Sequence, residues 1–154
     1  MNYLLKLYSN VGKWPFGKTI FSKIAASKAP YFTTIQPKVL ELSHNYMKVK
    51  MRIRPAVHNH LKTVHAIASC NLCEFTAGIC MEASIPKHRR WIPTGMQVNY
   101  LHKAKTNLIA ECDLSSVDWE NCHEVPCFVS VKDTSGLEVV TATITMKVSD
   151  KKKK

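Results

Sequence analysis

The stretch from His65 to Ile85 constrains the fold more than any other part of the chain. It contains no proline and a single glycine, and its residues are mostly apolar on all sides of a helical projection. This run is too long for a β-strand, and a helix that is apolar all round must be buried by other elements. The sequence therefore predicts one long buried helix, with Thr63 as its N-cap and Pro86 at its end.

Segments of strand character lie on both sides of this helix. Strict alternation predicts a half-buried antiparallel strand at 46–52. The other predicted elements are an extended segment at 32–42, strands at 92–102, 106–114, 124–132 and 138–148, and short helices at 2–10 and 17–27. A six-stranded antiparallel sheet beside a single apolar helix will wrap that helix. The predicted fold class is α+β, in the hotdog architecture.

The chain is long enough for one domain with additions at both ends. Its 154 residues can bury one substantial core. Residues 31–149 are the predicted hotdog domain, residues 1–30 form a helical extension packed on it, and residues 150–154 form a disordered basic tail.

Positive charge is concentrated in the N-terminal part of the chain. The formal net charge is +11, and the first 40 residues contain six lysines but no Asp or Glu. Such a surface favours anionic partners. It is interpreted either as a solvated basic face on packed helices, or as a docking surface for an acidic carrier protein, a phosphate-rich ligand or a membrane surface.

The cysteines and the N-terminus indicate a cytoplasmic protein. Three of the six cysteines fall on the predicted long helix, and the apolar run in Met1–Lys6 is too short for a signal peptide. Reduced thiols are therefore expected. Cys70-x-x-Cys73 has no second ligand pair, so no metal site is predicted. No apolar run approaches the ~20 residues of a transmembrane helix, which leaves only peripheral membrane contact open.

Asn59, His65 and Glu74 form the most informative polar pattern. The amide and the imidazole precede the start of the long helix, and the carboxylate follows on that helix. An enzyme that attacks an activated acyl carbonyl needs groups of these kinds, namely an oxyanion stabiliser, a polarising group and a base or nucleophile.

The segment Asn59-x-x-x-Thr63-Val64-His65 resembles the Asn-x-x-Gly-Thr-x-His-Gly-Gly motif of hotdog-fold acyl-CoA thioesterases of the phenylacetate-pathway type. Glu74 stands where that family places its helix carboxylate, and the strand 95–101 continues the resemblance. A branch of the superfamily whose function is unassigned is more similar still. That similarity extends over the segments Phe16–Lys18, Ala29–Phe32, Asn59–His60, His65–Ala68 and Arg90–Pro93.

The resemblance implies thioester hydrolysis and a role for each matching residue. The N–H of Ala66 would bind the thioester oxygen, and Asn59 and His65 would position that carbonyl or the helix start. Glu74 would activate water or attack the thioester directly. Thr94 is expected to orient the water.

Three positions depart from the family motif. Ala66 and Ile67 replace the two glycines after the histidine, and Lys62 replaces the glycine before the threonine. Glycine lets a thioester carbonyl approach the backbone closely. Ala66 keeps the N–H donor but adds a methyl group, so an oxyanion site is still expected there.

The separation of Ala66 and Glu74 requires a second subunit. Residues eight positions apart on a helix are about 12 Å apart along its axis, so one thioester carbon cannot contact both. A working site therefore needs the N–H of one chain and the carboxylate of another. The protein is expected to be a homo-oligomer, either a dimer or a dimer of dimers.

Basic residues near the predicted pocket are candidates for the phosphates of coenzyme A, because Arg and Lys provide charge-assisted donors. They are Arg89, Arg90, Lys103 and Lys105. An ordinary solvated basic rim is the alternative interpretation. Coenzyme A belongs to the substrate in this hypothesis, and no separate cofactor is expected.

The sequence thus favours hydrolysis of an acyl-CoA or acyl-carrier-protein thioester. A non-catalytic acyl-CoA-binding module, acting as a sensor or carrier, remains open and is supported by the loss of the motif glycines. Nucleic-acid binding is not expected, because only the charge suggests it, aromatic residues make up just 8% of the chain, and no recognised motif is present.

Overall fold

A computed structural model of the chain describes residues 2–151. The α-helices of this part are α1 (Tyr3–Val11), α2 (Gly17–Ser27) and α3 (Ala66–Ser84). Short 3₁₀ helices cover Pro30–Ile35 and Pro55–Val57. The strands are β1 (Lys38–Ser43), β2 (Tyr46–Met51), β3 (Arg89–Tyr100), β4 (Leu108–Asp113), β5 (Glu124–Lys132) and β6 (Glu138–Asp150).

The strands form one antiparallel sheet in the order β1-β2-β4-β5-β6-β3. Alternate residues of its central strands point towards α3 and are buried with it, and Leu72, Phe75 and Met81 of the helix are fully buried. The predicted α+β hotdog architecture is confirmed. Strands β1 and β3 are the two edges of the sheet, and β3 is exposed except at Arg89, Trp91 and Val98.

The N-terminal helices pack directly on the hotdog domain. Phe21 and Ala25 of α2 are buried, and the Ser22 hydroxyl accepts a hydrogen bond from the Val39 N–H of β1 at 2.8 Å. The rings of Tyr8 and Phe21 join α1 to α2 edge to face, with their centroids 5.0 Å apart. Because of this packing, α1 and α2 are fixed relative to the sheet.

The prediction of an extended segment at 32–42 was partly wrong. Its first residues complete the 3₁₀ helix Pro30–Ile35, and β1 begins only at Lys38. Proline suits the first turn of a helix because it needs no N–H partner there. Gln36, in the left-handed region with φ of 48°, then ends the turn.

The predicted N-cap of α3 was also wrong. His65 is the cap, because its Nδ1 accepts a hydrogen bond from the Ile67 N–H at 3.1 Å. The hydroxyl of Thr63 instead accepts from the Asn59 side chain.

Strand β6 is longer than predicted and includes Asp150. The carboxylate of Asp150 lies 3.5 Å from Nε of Arg89, and the N–H of Lys151 donates to the His88 carbonyl. These contacts anchor the start of the segment predicted as a disordered tail. The rest of that segment, Lys152–Lys154, lies outside the described residues.

Within residues 2–151, no helix is long and apolar enough to cross a membrane. The same part of the chain contains no group of three or more His, Cys, Asp or Glu side chains placed to hold a metal ion.

Candidate functional site

One side of α3 is not covered by other elements. Its residues are separated along the helix by three, four and eight positions. Ile67, Glu74 and Glu82 are exposed there, and Cys70 is half-buried. The thiol of Cys70 is 3.0 Å from the Tyr100 hydroxyl, at the end of β3. We call the residues Ile67, Cys70, Glu74 and Glu82 the open stripe of α3.

The open stripe runs beside β3 and antiparallel to it. Glu82, near the end of α3, accepts a hydrogen bond at 2.8 Å from the indole N–H of Trp91, near the start of β3. Cys70, near the start of the helix, contacts Tyr100 at the other end of the strand. The helix and an unpaired sheet edge are therefore exposed side by side.

The loop before α3 is organised by Asn59. Its Oδ1 accepts hydrogen bonds from the N–H groups of Leu61 and Thr63 at 2.9 and 3.1 Å, and its Nδ2 donates to the Thr63 hydroxyl at 2.9 Å. Lys62, where the similar family has glycine, is in the left-handed region with φ of 59°. Asn59 thus closes the turn that delivers the chain to the helix.

The first residues of α3 leave the N–H of Ala66 free. The N–H of His65 donates to the Val57 carbonyl at 2.8 Å, and its Nδ1 caps the Ile67 N–H. The N–H of Ala66 has no acceptor among residues 2–151. It belongs to the first turn of a 19-residue helix, where the unsatisfied N–H groups carry partial positive charge.

A cavity of about 330 Å³ opens at this end of α3. Asn59, Ala66, Tyr100 and Lys103 are among the residues that line it. The hydrogen bond with Cys70, together with partial burial, raises the pKa of Tyr100 to about 12. Tyr100 is therefore a neutral hydroxyl at neutral pH, and the basic side chains of this cavity are His102 and Lys103.

Glu74 belongs to a second and more apolar cavity, of about 610 Å³. The N-terminal helices supply one wall of it and α3 and β3 the other. Its apolar lining residues are Tyr3, Leu4, Ala25, Ala29, Phe32, Gly78, Ile79, Trp91 and Pro93. Gly78 matters here because a Cβ at this position would lie 3.2 Å from the Trp91 ring. Its charged lining residues are Lys28, Glu74 and Glu82, so the cavity combines two exposed carboxylates with the dimensions and lining of a small-molecule site.

The remaining predicted site residues are spread along β3 and beyond. Thr94 is exposed at an irregularity of β3 and donates to the Thr145 carbonyl at 3.2 Å. Arg90 is exposed, and its Nε donates to the Ser149 hydroxyl at 3.1 Å. Lys105 is exposed beyond the strand.

Arg89 has a different environment from the other predicted phosphate contacts. It is 5% exposed, and its guanidinium donates to the carbonyls of Trp119 and Cys122 at 2.7 and 2.6 Å. These hydrogen bonds tie β3 to the segment before β5. Arg89 therefore supports the sheet through its guanidinium.

The structure thus brings together Asn59, Ala66 and Lys103, but not Glu74. Sequence reasoning missed Tyr100 and Trp91, and it did not connect the N-terminal helices with the cavity at Glu74. The single glycine within the long helical run, Gly78, was a usable signal, because a glycine inside a helix often marks a close approach by another group.

A family model described as "Domain of unknown function (DUF4442)" matches residues 17–148. A structural genomics target whose crystal structure has been solved is 37% identical in sequence to this chain. That similarity covers 97% of this chain and 99% of the other, with a TM-score of 0.85. No curated protein matches the chain significantly in sequence.

More distant solved structures share the fold. A protein of unknown function from Pseudomonas aeruginosa, described as a probable thioesterase, is 16% identical, with a TM-score of 0.75 over 90% of this chain and 97% of its own. A thioesterase from Haemophilus influenzae is 9% identical, with a TM-score of 0.74 over 90% of this chain and 94% of its own. At these identities the similarity establishes the hotdog fold.

Proposed function

The chain belongs to the DUF4442 family, and from that premise we propose that it hydrolyses acyl-CoA or acyl-carrier-protein thioesters at sites shared between two subunits. The observation that carries this proposal is the free N–H of Ala66 at the start of α3, on the helix whose open stripe presents Glu74. A donor at a helix N-terminus and an exposed carboxylate are the two groups that thioester hydrolysis needs. The thioesterases among the proteins of the same fold agree with it.

In this mechanism, the N–H of Ala66 stabilises negative charge on the thioester oxygen as the carbonyl is attacked. The helix start makes this donor electropositive. Glu74 of the other subunit removes a proton from water, whose oxygen forms the new bond to the carbonyl carbon. The C–S bond then breaks, and the thiolate takes up a proton. The same position of Glu74 would also allow its carboxylate to attack the carbonyl carbon directly. The anhydride formed in this way is then hydrolysed by water.

The exposed edge strand β3 offers an interface for the dimer that this mechanism needs. β3 has an unpaired edge and solvent on both faces, which is unusual for a strand of 12 residues. Pairing of β3 with its own copy would cover that edge. The midpoint between Ala66 and Glu74 is Cys70, so the two-fold axis must pass near Cys70 to place Glu74 opposite the partner's Ala66.

The two ends of the substrate can then be assigned. The apolar cavity between α2, α3 and β3 would hold the acyl chain beside Glu74. Antiparallel pairing of two β3 strands places the Arg90 end of one strand and the Lys103 end of the other on the same side of the two-fold axis. We assign the phosphates of coenzyme A to Arg90 and Lys103 and leave Arg89 out, because its guanidinium is bound within the fold.

Asn59 and His65 act through the backbone in this proposal. Asn59 holds the loop closed, and His65 caps α3, so both fix the position of the Ala66 N–H. Thr94, on β3, is our candidate for orienting the water. The cysteines among residues 2–151 are free thiols, which supports a cytoplasmic location.

The test is thiol release from a panel of short, long and aromatic acyl-CoAs, comparing the wild type with Glu74→Ala and Glu74→Gln. We expect both variants to lose about 10²- to 10⁴-fold in kcat, the usual contribution of a general base. Glu120→Gln is the matched control, because Glu120 is an exposed glutamate that lines neither of the two cavities. It should keep most of the activity.

A non-catalytic acyl-CoA-binding module is the second candidate, favoured by Ala66 and Ile67 in place of the motif glycines. It predicts tight acyl-CoA binding by the wild type and by Glu74→Ala, with no turnover of any substrate. That result would remove the hydrolase proposal.

A further inference from the structure

The turn between α1 and α2 projects two aromatic side chains into solvent. Trp14 is 65% exposed and Phe16 is 83% exposed. The turn is well defined, because the Trp14 N–H donates to the Val11 carbonyl at 3.0 Å and the Gly17 N–H donates to the Trp14 carbonyl at 2.9 Å. The two rings are therefore held outside the core by an ordered backbone.

The backbone geometry of this turn reinforces that arrangement. Phe16 has φ of 62°, in the left-handed region that bulky residues rarely adopt. A Cβ at Gly17 would lie 1.8 Å from the Val11 carbonyl oxygen, so the turn closes only with glycine there. An outlying conformation that presents an exposed aromatic ring is grounds for a functional hypothesis.

The outward side of α2 extends the same apolar surface. Ile20 and Ile24 are 41% and 37% exposed, one helical turn apart, and Phe16 lies one turn before Ile20. Phe21 and Ala25, on the opposite side of the helix, are buried against the domain. This outward side points away from β1, and β3 pairing uses the opposite edge of the sheet. We call Trp14, Phe16, Ile20 and Ile24, with Lys13 and Lys23 beside them, the N-terminal surface.

Charge identifies the class of partner for this surface. The first 40 residues contain six lysines and no Asp or Glu. Among residues 2–151, ion pairs within 4.0 Å are formed only by Lys48 with Glu111 and by Arg89 with Asp150. The charges of Lys13 and Lys23 are therefore not neutralised within the described part of the fold, and they favour an anionic partner.

We propose that the N-terminal surface docks the protein on an anionic lipid bilayer, with Trp14 and Phe16 inserted at the level of the headgroups. Exposed aromatic and aliphatic side chains flanked by lysines are the combination that binds membrane interfaces. This proposal does not depend on any step of the proposed hydrolysis.

The experiment is sedimentation of the full chain with vesicles of phosphatidylcholine alone and of phosphatidylcholine mixed with phosphatidylserine. We expect binding to the mixed vesicles, with a blue shift of tryptophan fluorescence that Trp14→Phe abolishes. Trp14→Ser with Phe16→Ser should weaken binding about tenfold or more. Lys13→Gln with Lys23→Gln should weaken it roughly 30-fold, at about 1 kcal/mol per lysine.

Matched controls lie on the sheet. Phe128→Ser removes an exposed aromatic residue, and Lys132→Gln with Lys147→Gln removes two exposed charges, all outside the N-terminal surface. These variants should bind vesicles as the wild type does. All N-terminal variants should keep the wild-type thermal unfolding temperature and turnover of soluble substrate, since the changed residues are exposed and outside the proposed site.

Three results would overturn the proposal. The first is absence of binding to phosphatidylserine vesicles. The second is equal loss of binding in the control and N-terminal variants, which would indicate general electrostatic adsorption. The third is a change of oligomeric state in Trp14→Ser with Phe16→Ser and no change in vesicle binding, which would assign the surface to a second copy of the chain.

Discussion

At the scale of single residues, Ala66 shows how a departure from a motif can preserve the group that matters. The motif glycine of the similar family is replaced, yet the main-chain N–H stays free at the start of α3. His65 just before it caps the helix with a nitrogen atom, so the imidazole is a local organiser of this donor. The chemistry assigned to the motif therefore depends on the backbone more than on the side chains that mark it.

Ala66→Pro tests this donor directly. Proline is well tolerated at the first position of a helix, and His65, with φ of −63° and ψ of 138°, already has the conformation that a residue before proline prefers. The variant should keep its fold while losing about 10²- to 10³-fold in kcat, the usual effect of deleting an oxyanion donor. Circular dichroism and acyl-CoA turnover measure the two effects.

Ala66→Gly is the control for that experiment, because it keeps the N–H and restores the family residue. It should retain activity or exceed the wild type. Equal activity of Ala66→Pro and the wild type would show that this N–H has no role in turnover.

At the scale of elements, periodic segments were predicted well and locally determined ones were not. The helix 17–27 and the strand 124–132 were placed as observed, because their apolar residues recur with a clear period. The 3₁₀ turn at Pro30–Ile35 carries no such period. It is held by short-range bonds of the Thr33 and Thr34 hydroxyls to backbone carbonyls.

The candidate site, too, was predicted from sequence only in part. Asn59, His65 and Glu74 could be recognised from the order of residue types. That Glu74 faces a cavity walled by Tyr3 and Phe32 could not, because those contacts join parts of the chain separated by more than 40 residues. The open stripe of α3 was hidden as well, since an exposed Ile67 looks like a core residue in sequence.

An ion pair between β2 and β4 makes a pH-dependent contribution to the free energy of unfolding. Nζ of Lys48 lies 2.7 Å from the Glu111 carboxylate, and this hydrogen bond lowers the pKa of Glu111 below its usual value of 4.5. A lowered pKa in the folded state stabilises the fold above pH 4.5, and the contribution is lost as pH falls through the folded value.

Lys48→Gln should therefore be less stable than the wild type at neutral pH, by up to about 1 kcal/mol for such a partly exposed pair. The difference should disappear in acid. Urea unfolding across the pH range measures it, with Lys50→Gln on the same strand as control. A difference that persists at low pH would mean that Lys48 stabilises the strand by packing alone.

At the scale of the whole molecule, the open stripe of α3 and the free edge of β3 are one continuous exposed region. The proposed dimer uses both, with its axis near Cys70. The free energy of association should come from main-chain pairing along β3 and from burial of Ile67 and Met96, which are 53% and 38% exposed in the single chain.

Cross-linking through Cys70 can test the position of this two-fold axis. It is half-buried, whereas burial raises the pKa of the Cys73 thiol to about 12 and makes that residue unreactive. A short bismaleimide should therefore cross-link two copies through Cys70, giving a dimer band on a denaturing gel. Cys70→Ser should lose the band and Cys122→Ser should keep it. The opposite pattern would move the interface towards Cys122.

The eight-residue interval between Ala66 and Glu74 has a genetic consequence. In the proposed dimer each site takes one of these residues from each chain. A mixed pair formed by a Glu74→Ala chain and an Ala66→Pro chain contains one site with both defects and one site with neither. Two alleles that are each inactive alone would therefore complement one another when expressed together. Neither allele would lower the activity of a wild-type copy in the same cell, because each wild-type chain completes one intact site whichever chain it pairs with.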